Sequence, residues 1–177
     1  MKMKNKNSLT GLIKKGKIFI YPTDTIYGLG CNALNRKAVE KIKNIKKRDG
    51  KKPLSIIAPS KSWIFKNLIA DKKLVNKYLP GRYTLILKKK KRNFLKNASS
   101  SEFLGIRIPD NDFCRIIQKS EVPFITTSVN FSGEKPAVRI QDTNKQILSK
   151  VDVIINAGKL YGKPSIIVLP NGKKLKR

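Results

Sequence analysis

Short apolar runs, each cut off early by proline, glycine or a cluster of hydroxyl side chains, are the feature that most limits what this chain can fold into. Residues 17–21 stop at Pro22, residues 105–108 stop at Pro109, and residues 124–128 run into a stretch of Ser, Asn and Gly. Runs of this kind are too short for buried helices and suit strands covered on both faces. Residues 54–58, 83–87, 151–156 and 165–169 read the same way, and residues 23–30 read as a loop. Between the strands, residues 35–47 carry Ala38, Val39, Ile42 and Ile45 at helical spacing, with lysines on the other face. Further helices are expected from Ser8 or Thr10 to Ile13 (ended by Gly16), around Trp63 to Ile69, in a segment ending at Pro80-Gly81, and over residues 113–118 and 141–149. The elements alternate without a fixed repeat. That pattern predicts an α/β fold, a single domain with a twisted mixed parallel/antiparallel sheet flanked by helices. The polar, basic ends, residues 1–7 and 171–177, are expected to be frayed.

A chain of 177 residues suits one domain, and 40% hydrophobic residues suffice for a core. With 40 Lys+Arg against 11 Asp+Glu, the formal net charge is +29. A field of this sign attracts polyanions such as nucleotides, pyrophosphate and RNA. A coding bias toward Lys, Asn and Ile produces the same excess, so charge alone does not choose a partner. The one dense run, Lys88 to Arg92, follows a strand and reads as a solvated hairpin tip or as an RNA-contacting loop. The absence of His excludes imidazole chemistry, and two distant cysteines, Cys31 and Cys114, exclude a disulfide framework or a cysteine zinc site. No apolar run nears the ~18 residues of a membrane span and no signal-peptide core opens the sequence, so a cytoplasmic protein with no membrane partner is expected.

Three loops hold polar residues that a packed core does not require. In the first, residues 21–30, Thr23, Asp24 and Thr25 lie just past a buried strand, where α/β sheets bind ligands; on spacing alone a turn satisfying its own backbone explains them better. The second, residues 46–55, sets Lys46, Lys47, Arg48, Lys51 and Lys52 at a helix C-terminus, where cations complement the helix dipole or grip phosphate. The third, residues 123–133, offers Thr127, Ser128, Asn130 and Ser132 on flexible backbone, groups that bind phosphate and ribose oxygens without adding charge.

Together these loops resemble the YrdC-like threonylcarbamoyl-adenylate synthases, which act first in forming threonylcarbamoyladenosine in tRNA. The family pattern is met by Pro22 to Gly30, by Lys46 and Arg48 with Lys52-Pro53-Leu54, by Pro80-Gly81 with Thr84, by Gly105-Ile106-Arg107-Ile108-Pro109, and by Ser128-Val129-Asn130-Phe131-Ser132-Gly133. The order agrees from about residue 10 to residue 168. Ile166 stands where the family has Thr, Ala58-Pro59 where some members have His, and the sequence stops soon after Leu169, short of the extra domain of longer relatives.

The resemblance implies a YrdC-like catalytic domain over residues 8–170 that joins L-threonine, bicarbonate (or CO2) and ATP, releasing pyrophosphate. Lys46 and Arg48 are the implied catalytic cations; Lys46, Arg48, Lys52, Arg107, Thr127, Ser128 and Asn130 the implied ATP and phosphate ligands; Thr23, Thr25, Tyr27 and Ser165 the implied threonine ligands. Asp24 reads as a backbone-capping turn residue, and no protein general base or metal ligand is expected. Mg2+ is expected to arrive with ATP. Later-acting threonylcarbamoyl transferases, and tRNA or double-stranded RNA, are the implied partners. The rival readings are a non-catalytic RNA-binding module, with a steep salt dependence and no turnover, and a hydrogenase-maturation carbamoyl transferase, whose cysteine-rich zinc modules find no counterpart in two cysteines.

Overall fold

The computed structural model describes residues 6–49 and 52–176. In chain order the elements are α1 (Lys6–Lys14), β1 (Phe19–Tyr21), β2 (Gly28–Gly30), α2 (Arg36–Ile45), β3 (Ser55–Ile57), α3 (Lys61–Asn67), β4 (Leu68–Ile69), α4 (Lys72–Tyr78), β5 (Tyr83–Lys89), β6 (Phe103–Arg107), α5 (Asp112–Ser120), β7 (Phe124–Ser128), α6 (Lys145–Leu148), β8 (Val153–Ile154), β9 (Ile166–Val168) and β10 (Lys174–Leu175). The strands form a sheet in the order β10-β9-β5-β6-β3-β7-β2-β1-β8, with β4 beside β5. Pairs β1–β8, β3–β6 and β5–β9 are parallel; the remaining pairs are antiparallel. This is the mixed α/β sheet that the alternation of elements predicts.

Aromatic packing fixes the middle of the sheet to α5. Tyr21 stacks on Phe113 with centroids 4.5 Å apart, and Phe124 meets Phe19 and Tyr21 edge-on. All four rings are buried. Helix α2 turns Ala38, Val39, Ile42 and Ile45 onto the core, as its spacing requires, and Asn35 caps its first turn by accepting the Ala38 N–H.

Residues 28–30 correct the loop expected over residues 23–30. Gly28, Leu29 and Gly30 pair with β1 on one side and, through Gly28 and Leu29, with β7 on the other. Glycine weakens strand propensity, which hides this strand from sequence patterning, yet packing requires both glycines. A Cβ on Gly28 would lie 2.6 Å from the Tyr21 ring, and one on Gly30 would run into the Ile125 carbonyl and the Phe124 ring.

Other differences have local causes. The helix expected over residues 141–149 is divided into a 3-10 turn (Ile140–Asp142) and α6, because Asn144 is extended enough to cap the second piece from its side chain. The helix expected to reach Ile69 ends at Asn67, and Leu68–Ile69 pairs with β5. The Lys88 to Arg92 run does sit at a β5–β6 hairpin but is not wholly solvated: Lys89 is buried and donates to the Ser99 carbonyl at 3.0 Å, and Lys90 donates to the Phe65 carbonyl at 2.7 Å. Near the chain ends α1 starts at Lys6 and Lys174–Leu175 pairs with β9; of the ends expected to fray, residues 1–5 and 177 lie outside the described residues. Among the described residues no helix is long and apolar enough to cross a membrane.

Replacing Gly30 by Ala is expected to lower unfolding stability by about 1–3 kcal/mol, the usual cost of forcing a methyl into a filled core. Urea unfolding measures this, and an unchanged midpoint contradicts the close approach of β2 to β7.

Candidate active site

Several chain segments meet over one stretch of the sheet. The β1–β2 connection brings Thr23, Thr25 and Tyr27; β3 and β5 begin with Ser55 and, one residue in, Thr84; β6 ends on Arg107; β7 ends on Thr126, Thr127 and Ser128. The loop after β7 adds Asn130, Glu134 and Pro136, and the segment entering β9 adds Pro164 and Ser165. These residues line a cavity of about 240 Å³. Eight expected ligands therefore converge on it: Thr23, Thr25, Tyr27, Arg107, Thr127, Ser128, Asn130 and Ser165.

Lys46 reaches the site from beneath. It extends the apolar stripe of α2 one turn beyond Ile42 and is 1% exposed. Its Nζ donates to the Ser128 carbonyl at 2.6 Å, the Asn130 carbonyl at 2.8 Å and Asn130 Oδ1 at 2.9 Å. All three ammonium donors are thus engaged by the loop that carries Ser128 and Asn130. The same loop is tightened by Ser128 Oγ donating to Asn130 Oδ1 at 2.6 Å and by Asn130 Nδ2 donating to the Glu134 carbonyl at 2.6 Å. Lys46 therefore organises the Ser128–Asn130 loop from behind the cavity lining.

Arg48 and Lys52 also stand outside the lining. Lys47 adopts a positive φ of 48°, which turns the chain sharply after α2 and separates Arg48 from Lys46. The Arg48 guanidinium then donates from Nε to the Lys52 carbonyl at 3.1 Å and from Nη2 to the Pro53 carbonyl at 2.7 Å. It holds the turn into β3, and burial pushes its pKa down. Lys52 is exposed.

The threonines of the first loop are engaged with one another. Thr23 Oγ1 donates to the Ile26 carbonyl at 2.7 Å and accepts the Thr25 N–H at 3.1 Å; the 2.8 Å contact between the two hydroxyls is then donated by Thr25. The turn reading holds for Thr23. It does not hold for Asp24, whose Oδ1 meets Arg107 Nη2 at 2.7 Å in a pair with side chains 9% and 8% exposed. Burial pushes the guanidinium pKa down and Asp24 opposes that shift. Tyr27 borders the cavity, and its hydroxyl donates to the Gly158 carbonyl at 2.8 Å and accepts the Ala157 N–H at 2.8 Å, which fastens the 156–158 segment.

Ser55, Thr84, Thr126 and Glu134 line the cavity but were not among the expected ligands. Thr84 belongs to a quoted motif and Ser55 to the loop over residues 46–55, yet both lie at strand starts, where side chains alternate between faces and sequence does not say which face is the cavity. Thr84 Oγ1 and Ser165 Oγ share a 2.8 Å hydrogen bond, and a Cβ on Gly105 would lie 2.7 Å from Ser55 Oγ, so Gly105 leaves room for the hydroxyls. Thr126 Oγ1 accepts from the Tyr21 hydroxyl at 2.7 Å.

The cavity is thus a hydroxyl-rich pocket at strand ends, bordered by a fixed loop of amide and carbonyl groups and by one buried arginine. The family model described as Sua5/YciO/YrdC, telomere recombination, matches residues 11–176. The chain belongs to this family. It is 44% identical over 160 residues to the putative threonylcarbamoyl-AMP synthase of Methanocaldococcus jannaschii, covering 88% of this chain and 75% of that protein. It is 30% identical over 157 residues to the threonylcarbamoyl-AMP synthase of Pyrococcus abyssi, covering 84% of this chain and 45% of that one. The crystal structure of P. abyssi Sua5 complexed with L-threonine matches with a TM-score of 0.82 at 26% identity, covering 94% of this chain and 51% of the other. The chain thus spans about half the length of the Pyrococcus protein.

The Lys46 clasp has a pH signature. Burial, then Arg48, lowers the ammonium from its ordinary 10.5 to about 7, with Glu134 opposing. Between pH about 7 and about 10.4 the unfolded chain therefore binds the extra proton, and stability rises with pH across that window. The unfolding free energy of the wild type is expected to gain on that of Lys46→Met from pH 7 to 10. A constant difference between the two across that range contradicts the shift.

Proposed function

We propose that this chain is a threonylcarbamoyl-AMP synthase, forming threonylcarbamoyl-adenylate and pyrophosphate from L-threonine, bicarbonate or CO2, and ATP. One observation carries the reading: the threonine-loop hydroxyls, Arg107 and the Lys46-anchored Ser128–Asn130 loop border a single cavity. The amine of threonine first takes up bicarbonate as a carbamate, releasing water. A carbamate oxygen then attacks the α-phosphorus of ATP, and the bond to the bridging oxygen breaks to release pyrophosphate.

Negative charge builds on the phosphates as that bond breaks, so catalysis rests on positioned donors and cations. Thr127, Ser128, Asn130 and backbone groups of their loop receive phosphate oxygens, and Arg107 supplies the buried positive charge. Lys46 acts by holding this loop in one shape. Arg48 and Lys52 serve at the edge of the site; the Arg48 guanidinium keeps N–H groups beyond the two that hold the turn, whereas direct donation to phosphate by Lys46 or by the Ser128 hydroxyl requires release of an oxygen each now holds. Thr23 and Thr25, with Thr84 and Ser165 across the cavity, surround the amino acid. No step needs a protein base, since the carbamate is itself the nucleophile.

Mg2+ enters with ATP in this reading. Among the described residues Glu134 is the one carboxylate lining the cavity, and both oxygens of Asp24, behind the lining, are engaged by Arg107 and by the Asp110 N–H. The metal's remaining coordination comes from phosphate oxygens and water, and the charge it neutralises is that of the nucleotide. The product then passes to a threonylcarbamoyl transferase acting on tRNA. A purely RNA-binding module is disfavoured, because RNA binding requires neither a polar cavity nor a buried arginine within it.

Pyrophosphate release measured while threonine or bicarbonate is omitted in turn tests the reading. Wild-type release is expected to need both. Asn130→Ala is expected to reduce it about 100-fold or more, the usual loss when a fixed donor to developing charge is removed. Release independent of threonine, or near-normal turnover in the variant, overturns the assignment.

A further inference from the structure

We infer that Asp24 is a positioning residue for the reaction, holding the Arg107 guanidinium in the orientation in which it meets a substrate oxyanion. The inference rests on the synthase reading above and deepens it. Arg107 is 6% exposed and lines the cavity, and both of its hydrogen bonds leave from Nη2, to Asp24 Oδ1 at 2.7 Å and to Thr25 Oγ1 at 3.4 Å. Among the described residues its buried Nε finds no hydrogen-bond partner. A buried donor left unpaired is costly, and native structures keep one chiefly where function uses it.

Asp24 is itself held in place. Its Oδ2 accepts the Asp110 N–H at 3.4 Å, and the neighbouring Asn111 Nδ2 donates to the Pro22 carbonyl at 2.7 Å, tying the first loop to the turn after β6. A long arginine side chain has much rotameric freedom to lose, and a fixed carboxylate on one nitrogen removes that freedom before substrate arrives. The carboxylate also compensates a charge that burial otherwise disfavours, without occupying Nε. Thr25 completes a polar chain running from Arg107 through Thr25 and Thr23 to the Ile26 carbonyl, so the orientation of the guanidinium is coupled to the shape of the threonine loop.

The reaction offers two oxyanions that suit this donor, the carboxylate of threonine and the phosphates of ATP. Asp24→Asn keeps the shape and one acceptor but removes the charge. Steady-state pyrophosphate release, measured well below the variant's melting temperature with each substrate varied in turn, distinguishes the two. The KM of the substrate whose oxyanion meets Arg107 is expected to rise about tenfold or more, with the other KM within about twofold and kcat within about threefold. A selective rise for threonine identifies the carboxylate, and a selective rise for ATP identifies a phosphate. Asp24→Glu, which keeps the charge but displaces it by one methylene, is expected to raise the same KM less, and it carries the test if Asp24→Asn does not fold. Wild-type values for both substrates, or equal rises in both KM values alongside a lowered melting temperature, overturn the inference while leaving the synthase reading intact. A wild-type protein that releases no threonine-dependent pyrophosphate overturns both.

Discussion

The ammonium of Lys46 is the interaction on which the polar half of this molecule depends. It sits where an amphipathic helix would place another Ile or Leu, and burial there is tolerable only because three oxygens of one loop close around it. Those oxygens belong to Ser128, the last residue of β7, and to Asn130 just beyond it. The loop leaves the sheet in a shape set by a charge from a different element. Its outward-facing groups are thereby fixed before any ligand binds, which is the condition for electrostatic work at low reorganisation cost.

A second buried charge organises the opposite wall. Arg107 leaves the end of β6 and is fixed by Asp24 from the β1–β2 connection, two strands that the sheet order separates by β3, β7 and β2. Between the two walls lie hydroxyls that mostly bond to one another: Thr23 with Thr25, Thr84 with Ser165, Tyr21 with Thr126. Hydroxyls can exchange donor and acceptor roles by a rotation, so such a lining can accommodate a small polar substrate without leaving a charge unpaired.

Sequence revealed the sheet, the main helices and most of the cavity because apolar runs and their stops are local signals. It failed where meaning lay in contacts between distant segments. Gly28 to Gly30 read as a loop because glycine carries no strand signal; only the Tyr21 ring and the Ile125 carbonyl explain why nothing larger fits. Asp24 read as a turn residue because Arg107 stands 83 positions away. The family motif gave Lys46 a role at phosphate but not its three loop contacts, although its place four residues after Ile42 already marked it as inward-facing. Tyr27 was correctly placed beside the site, but its hydroxyl bonds could not be foreseen from the spacing.

The end of α2 is joined to the loop after β7 by more than one side chain. The Ser132 N–H donates to the Lys46 carbonyl at 3.0 Å, and Lys47, held in its left-handed conformation, lays its ammonium 4.5 Å from the centre of the Phe131 ring. Adjacent lysines thus grasp consecutive parts of one loop, the first through oxygens and the second through an aromatic face. Helix and loop consequently form one mechanical piece: a tilt of α2 displaces Ser128 and Asn130 with it, and whatever settles against those two residues stiffens the helix in return.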